Sequence, residues 1–194
     1  MSTASELQEQ GIRLFRQRDY EAAAELFQQA REAYAAASQP DMAAEMEVNL
    51  GLVHRALGQH DQALALMLQA LQFFRQQGDR RREAQVLGNM GGVYAAQGDT
   101  EQAMTCYRQA ADTFHELGED KLYKETLLAL GDLQVRQGRI MAGAAAYEVG
   151  LEGADDLTPT QRILKGLLGI KRRLTGGAPP APPPGEDQGG ESGE

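Results

Sequence analysis

Glycine returns every forty residues through four copies, at Gly11, Gly51, Gly91 and Gly131. A fixed period of this length marks stacked supersecondary units, none of which can bury its apolar face without a neighbour. Other positions keep the same beat. Ala23, Ala63 and Ala103 are followed by Gly143, and Ala30, Ala70 and Ala110 by Gly150. Phe27, Met67, Tyr107 and Tyr147 form one bulky series; Tyr34, Phe74 and Phe114 form another.

A second beat runs at half that period, through Gly58, Gly78, Gly98, Gly118 and Gly138. Between these glycines the apolar residues recur at helical spacing. Ala63, Met67, Ala70, Leu71 and Phe74, for example, share one face. Glycine just past such a segment suits the left-handed residue that ends a helix, and the acidic or polar residue after it suits the next helix start. Val and Ile are sparse beside Ala, Leu, Gln, Glu and Arg, so strands are not expected. The expected fold is all-α: a solenoid of four antiparallel helix pairs within residues 1–157, at about 4–37, 41–77, 81–117 and 121–153.

The stretch LGNMGGVYAAQGD, residues 87–99, resembles in composition a loop that cradles phosphate between strand and helix. The two periods divide its glycines differently. Gly91 belongs to the forty-residue series and Gly98 to the twenty-residue series, which leaves Gly88 and Gly92 peculiar to this repeat.

Past the fourth pair, TPTQRILKGLLGIKRRL opens with Thr158 as a cap and Pro159 at the first helical position. Ile163, Leu167, Ile170 and Leu174 fall on one stripe, so residues 158–175 are expected to form a helix that caps the stack. Residues 176–194 hold five of the seven prolines and no large apolar residue, and are expected to be disordered.

The formal charge of −9 argues against nucleic acid as a partner, because phosphate binding needs a field of Lys and Arg. MSTASELQEQ has neither the basic start nor the apolar core of a leader, and no window approaches the roughly 18 apolar residues of a membrane span. A soluble, cytoplasmic protein is expected, without membrane contact. The single Cys106 and the scattered His54, His60 and His115 suggest neither a disulfide nor a metal site, and no cofactor is expected. Cys106 beside Tyr107 reads as a small buried thiol, and His54 as a packing residue. No nucleophile, base and orienting group come together, so the chain is not expected to be an enzyme.

The fragments QGIRLFRQRDYEAAAELFQQA, NLGLVHRALGQHDQALALMLQA and NMGGVYAAQGDTEQAMTCYRQA resemble tetratricopeptide repeats. ALGDLQVRQGRIMAGAAAYEVG fits more loosely, with Gly143 and Gly150 in place of alanines. The forty-residue period and LGNMGGVYAAQGD are similar to the longer-repeat branch of Pins-type polarity adaptors and, less closely, kinesin light chains. The resemblance implies a right-handed superhelix whose first helices line a concave groove for an extended or helical peptide.

Carried over residue by residue, it puts Ile12, Phe15 and Arg16 of the first repeat in that groove, with Glu45, Val48, Asn49, Leu52 and Arg55 of the second. The third supplies Gln85, Gly88, Asn89 and Gly92, and the fourth Glu125, Leu128, Asp132, Val135 and Arg136. The clamp by which some co-chaperones hold a terminal carboxylate is not matched: Gln8 and Ile12 stand at its first Lys and Asn, and Gln85 and Asn89 at its later basic pair.

Asn49 and Asn89 lie forty residues apart, where the adaptors carry asparagine. Their amides either pair with a peptide backbone or are simply accommodated beside the next helix. Arg80, Arg81 and Arg82 read as a solvated helix start rather than a docking site for an acidic partner. Arg162, Lys165, Lys171, Arg172 and Arg173 could equally bind an acidic partner or attract the acidic tail. The leading expectation is a non-enzymatic module that binds a peptide or protein segment. The alternative is a self-assembling scaffold, a homo-oligomer joined through solenoid ends or grooves.

Overall fold

The computed structural model describes residues 3–152 together with Gly166 and Leu168. Residues 1–154 form one compact unit and residues 155–194 another. The capping helix expected over 158–175 lies outside the described residues, apart from Gly166 and Leu168, which are both helical. The tail expected over 176–194 lies wholly outside them.

Among the described residues the first unit is all-α. Its helices are α1 (Ala4–Arg16), α2 (Tyr20–Ala36), α3 (Pro40–Ala56), α4 (His60–Gln77), α5 (Arg80–Gln97), α6 (Thr100–Glu116), α7 (Asp120–Arg136) and α8 (Ile140–Gly150). Each packs on the helices before and after it, so the chain is a stack of helix pairs. Apolar clusters run through the stack, one joining Phe27, Met46 and Val53, the next Met67, Phe74, Val86 and Phe114, and a third Met104 and Leu130.

The forty-residue glycines sit buried on the first helix of each pair. A Cβ at Gly11 would stand 2.8 Å from the Phe27 ring, at Gly51 2.9 Å from Met67, and at Gly91 2.9 Å from the Tyr107 ring. Atoms do not pack that closely, so the missing methyl group is what lets the bulky residue sixteen positions later lie against the first helix. In the fourth pair a Cβ at Gly143 would lie 2.9 Å from the Gly131 carbonyl oxygen, so there two backbones approach. Gly150 meets a different need, because its Cβ would lie 2.8 Å from Leu128. The two glycines that loosen the fourth repeat's resemblance are thus packing choices.

The twenty-residue glycines all adopt positive φ, from 68° at Gly78 to 84° at Gly98. Seven junctions are built alike, because Arg18 (φ 66°) and Ser38 (φ 56°) take the same conformation without being glycine. The next residue then serves both helices. Its N–H donates to a carbonyl five residues back, as Asp79 does to Phe74 and Asp99 to Tyr94, both at 2.9 Å. It is also the N-cap of the helix that follows: the Asp79 and Asp99 carboxylates accept from the Arg82 and Gln102 N–H groups at 3.0 and 3.2 Å. Such short reversals force neighbouring helices to run antiparallel.

A side chain in the left-handed region is disfavoured by about 1 kcal/mol or more. Arg18→Gly and Ser38→Gly should therefore each gain about 1 kcal/mol in urea unfolding, and Gly98→Ala should lose about as much.

Candidate functional site

Helices α1, α3, α5 and α7 all contribute to one cavity of about 700 Å³. From α1 come Gln8 and Ile12; from α3, Glu45, Val48, Asn49 and Leu52; from α5, Gln85, Gly88 and Asn89. Leu122, Glu125, Thr126 and Ala129 of α7 complete the row, with Phe74, Tyr107 and Phe114 reaching it from α4 and α6. The α-helical repeat places positions three and four apart on one face, and the forty-residue stacking sets those faces side by side.

Most of the polar groups here already have protein partners. The Gln8 side-chain oxygen accepts from the Tyr34 hydroxyl at 2.7 Å, and the Thr126 hydroxyl donates to the Leu122 carbonyl. Three amides of the lining, Asn49, Gln85 and Asn89, are short of such partners among the described residues. Among the described residues Asn49 has only a 3.9 Å contact to the Met46 sulfur, and Asn89 has no hydrogen bond from the protein. An amide offers donor and acceptor together, so these groups remain available to another backbone.

The arginine run opens α5 as expected, with Arg80 and Arg81 exposed, and it also carries ion pairs that composition does not reveal. The Arg82 guanidinium bonds Glu45 at 2.7 Å and Asp79 at 3.2 Å, lies 3.8 Å from Asp41, and sits over the Phe74 ring at 5.6 Å. Arg80 pairs with Glu116, and Arg81 with Glu119. The run ties α5 to α3 and to the ends of α6 and α7, and Arg81 and Arg82 line the cavity themselves. Their register could have revealed this, since Arg82 and Leu122 precede the groove positions Gln85 and Glu125 by three.

Several residues expected in the groove lie elsewhere. Phe15 packs at the first reversal, its ring 5.5 Å from that of Tyr20, and Arg16 is exposed near the end of α1. Leu128 lies against Gly150 of α8, and the exposed Val135 has its side chain beside Gly143. Asp132 accepts a hydrogen bond from the Tyr147 hydroxyl, and Arg136 is exposed near the same phenol. Burial, that hydrogen bond and the Asp132 charge push the Tyr147 phenol up to about 12, against the pull of Arg136. Gly92 is not an opening for a ligand, because the Arg55 guanidinium occupies the space that a side chain would take, next to the Tyr107 hydroxyl. Burial pushes the Tyr107 phenol up, and Arg55 pulls it back. Only Gly88 behaves as a gap: a Cβ there would meet nothing nearer than the Ala110 Cβ at 3.9 Å.

Cys106 is buried, and desolvation, with Asp99 adding to it, pushes its thiol up, away from the thiolate that a nucleophile needs. Among the described residues no group of His, Cys, Asp and Glu is placed to hold a metal ion, and no helix is long and apolar enough to cross a membrane.

A family model described as tetratricopeptide repeat matches residues 42–116 and again 84–154. No curated protein matches the sequence. Among solved structures, BtubC (BKLC) from P. vanneervenii is similar with a TM-score of 0.65 and 17% identity, over 98% of this chain and 71% of BtubC. The apo form of RapI is similar with a TM-score of 0.68 and 14% identity, over 88% of this chain and 49% of RapI, so the chain spans about half of RapI's length. At these identities the likeness is one of fold.

The contrast between neighbouring glycines of α5 is testable by urea unfolding. Gly88→Ala should gain up to about 1 kcal/mol from helix propensity, whereas Gly91→Val, which drives carbon atoms into the Tyr107 ring, should lose about 2 kcal/mol.

Proposed function

The chain belongs to the tetratricopeptide repeat family, and on that premise we propose that it is a non-enzymatic interaction module holding a peptide or protein segment in the cavity along α1, α3, α5 and α7. The observation that carries this reading is the pair Asn49 and Asn89, two amides one repeat apart on a shared wall, each short of protein hydrogen bonds. A segment crossing the stack meets Ile12, Val48 and Leu52 as apolar surface and the two amides as backbone partners. Gly88 beside Asn89 brings that backbone close to α5.

The charges favour a protein partner over nucleic acid. The net charge is −9, and Arg81 and Arg82, the arginines that line the cavity, are neutralised by Glu119, Glu45 and Asp79. The buried, poorly ionised Cys106 favours a binding role over catalysis. We place the protein in the cytoplasm on the same reading.

Panning random peptides against the full chain supplies a ligand for the test. Asn49→Ala with Asn89→Ala should weaken the selected peptide about tenfold or more, the equivalent of one or two lost hydrogen bonds. Unchanged affinity by calorimetry would defeat the backbone-pairing idea.

Self-assembly has one observation in its favour. In the earlier repeats the second residue of the second helix is acidic, and Asp61 and Glu101 reach the following pair through Gln97 at 3.1 Å and Arg139 at 3.6 Å. Met141 holds that place in the fourth repeat, 71% exposed beside Ile140 at 55%. Light scattering over a concentration series should then show mass growth that Met141→Glu suppresses; a strict monomer at high concentration would end this reading.

A further inference from the structure

A second cavity, of about 610 Å³, lies between α2, α3 and α4 and shares no lining residue with the first. Its place in the forty-residue register explains why it exists. Between the second and third pairs, Arg75 and Glu83 fill the corresponding space with an ion pair at 2.8 Å. Between the third and fourth, His115 and Tyr123 fill it with rings 5.0 Å apart. One repeat earlier the same two positions are Ala35 and Ala43, which are too short to meet, and both line the cavity. Pro40 and Phe73 add further apolar wall.

A third position changes with them. Where later repeats place Leu87 and Leu127 among apolar neighbours, the cavity is lined by Glu47. Its counter-ion is distant, since Arg31 stands 3.9 Å away, at the outer limit of an ion pair. Burial outweighs that attraction and pushes the Glu47 carboxyl up. A partly buried carboxylate beside apolar surface, with its counter-ion at the limit of pairing, is stabilised by a cation that comes closer.

We propose that this cavity binds a small amphipathic cation, whose aromatic or alkyl body rests on Ala35, Pro40 and Phe73 while its protonated amine meets the Glu47 carboxylate. The volume suits such a ligand, because small-molecule sites run from roughly 300 to 1,000 Å³ and are mostly apolar with a few placed polar groups. Gln69 supplies a second polar contact in the same lining. The site is separate from the cavity of the first helices and stands or falls independently of peptide binding.

Three probes with one body separate charge from shape: 4-phenylbutylamine, 4-phenylbutanol and 4-phenylbutyrate, titrated into the full chain and followed by ligand-observed NMR. The amine should bind about tenfold or more tightly than the alcohol and the carboxylate. Glu47→Leu, the residue that later repeats use, should abolish that preference. Ala35→Arg with Ala43→Glu, which copies the Arg75–Glu83 plug, should weaken the amine by about tenfold while circular dichroism and the urea midpoint stay those of the parent. No binding of the amine, equal binding of all three probes, or an amine affinity that survives Glu47→Leu would overturn the proposal.

Discussion

The stack rests on one contact repeated from pair to pair: a glycine on the first helix receives a bulky side chain sixteen residues later on the second. Gly11 with Phe27, Gly51 with Met67 and Gly91 with Tyr107 each leave no room for a Cβ. A glycine in mid-helix gives up about 1 kcal/mol of helix propensity relative to alanine, and four copies would be unfavourable without a return. The return is close packing, which buries Phe27 and Met67 almost completely and fixes how each helix crosses its partner. The spacing between pairs, and so the register of everything on their outer faces, follows from that contact.

Both cavities are consequences of this register. With pairs stacked at a constant repeat, residues forty apart become neighbours, and the chemistry of a surface depends on how one position varies from copy to copy. Toward the first helices the series Asn49, Asn89 and Ala129 lays amides along a single wall. Between consecutive pairs, the series Ala35, Arg75 and His115 against Ala43, Glu83 and Tyr123 fills two sites and leaves one hollow. The scaffold is uniform, and its functional content lies in departures from uniformity.

The all-α stack of helix pairs and the division of glycines into close-approach and helix-ending sets were legible in the sequence because both depend on local, periodic requirements. Arg18 and Ser38 escaped the second set because composition does not reveal a left-handed residue that is not glycine. The cavity along the first helices was legible where one repeat resembles the next, at Glu45 and Gln85 or Asn49 and Asn89. Other expected positions lie outside that lining. Leu128 and Asp132 follow the register in number but turn to contacts with Gly150 and Tyr147, which belong to the second helix of the pair. Arg55 fills the place that Gly92 vacates, a correlation between repeats that no single-repeat pattern contains. The ion pairs of the arginine run were hidden for a related reason, since Arg82 finds Glu45 only once α3 and α5 lie side by side.

The most direct test of the account is an NMR footprint of a peptide selected on the full chain, read from backbone amide shifts. Changes clustered on α1, α3, α5 and α7 around Ile12, Asn49, Gly88 and Asn89 are the predicted result. Changes confined to α4 around Phe73 and Gln69, with the Asn49 and Asn89 side-chain amides unmoved, would contradict it.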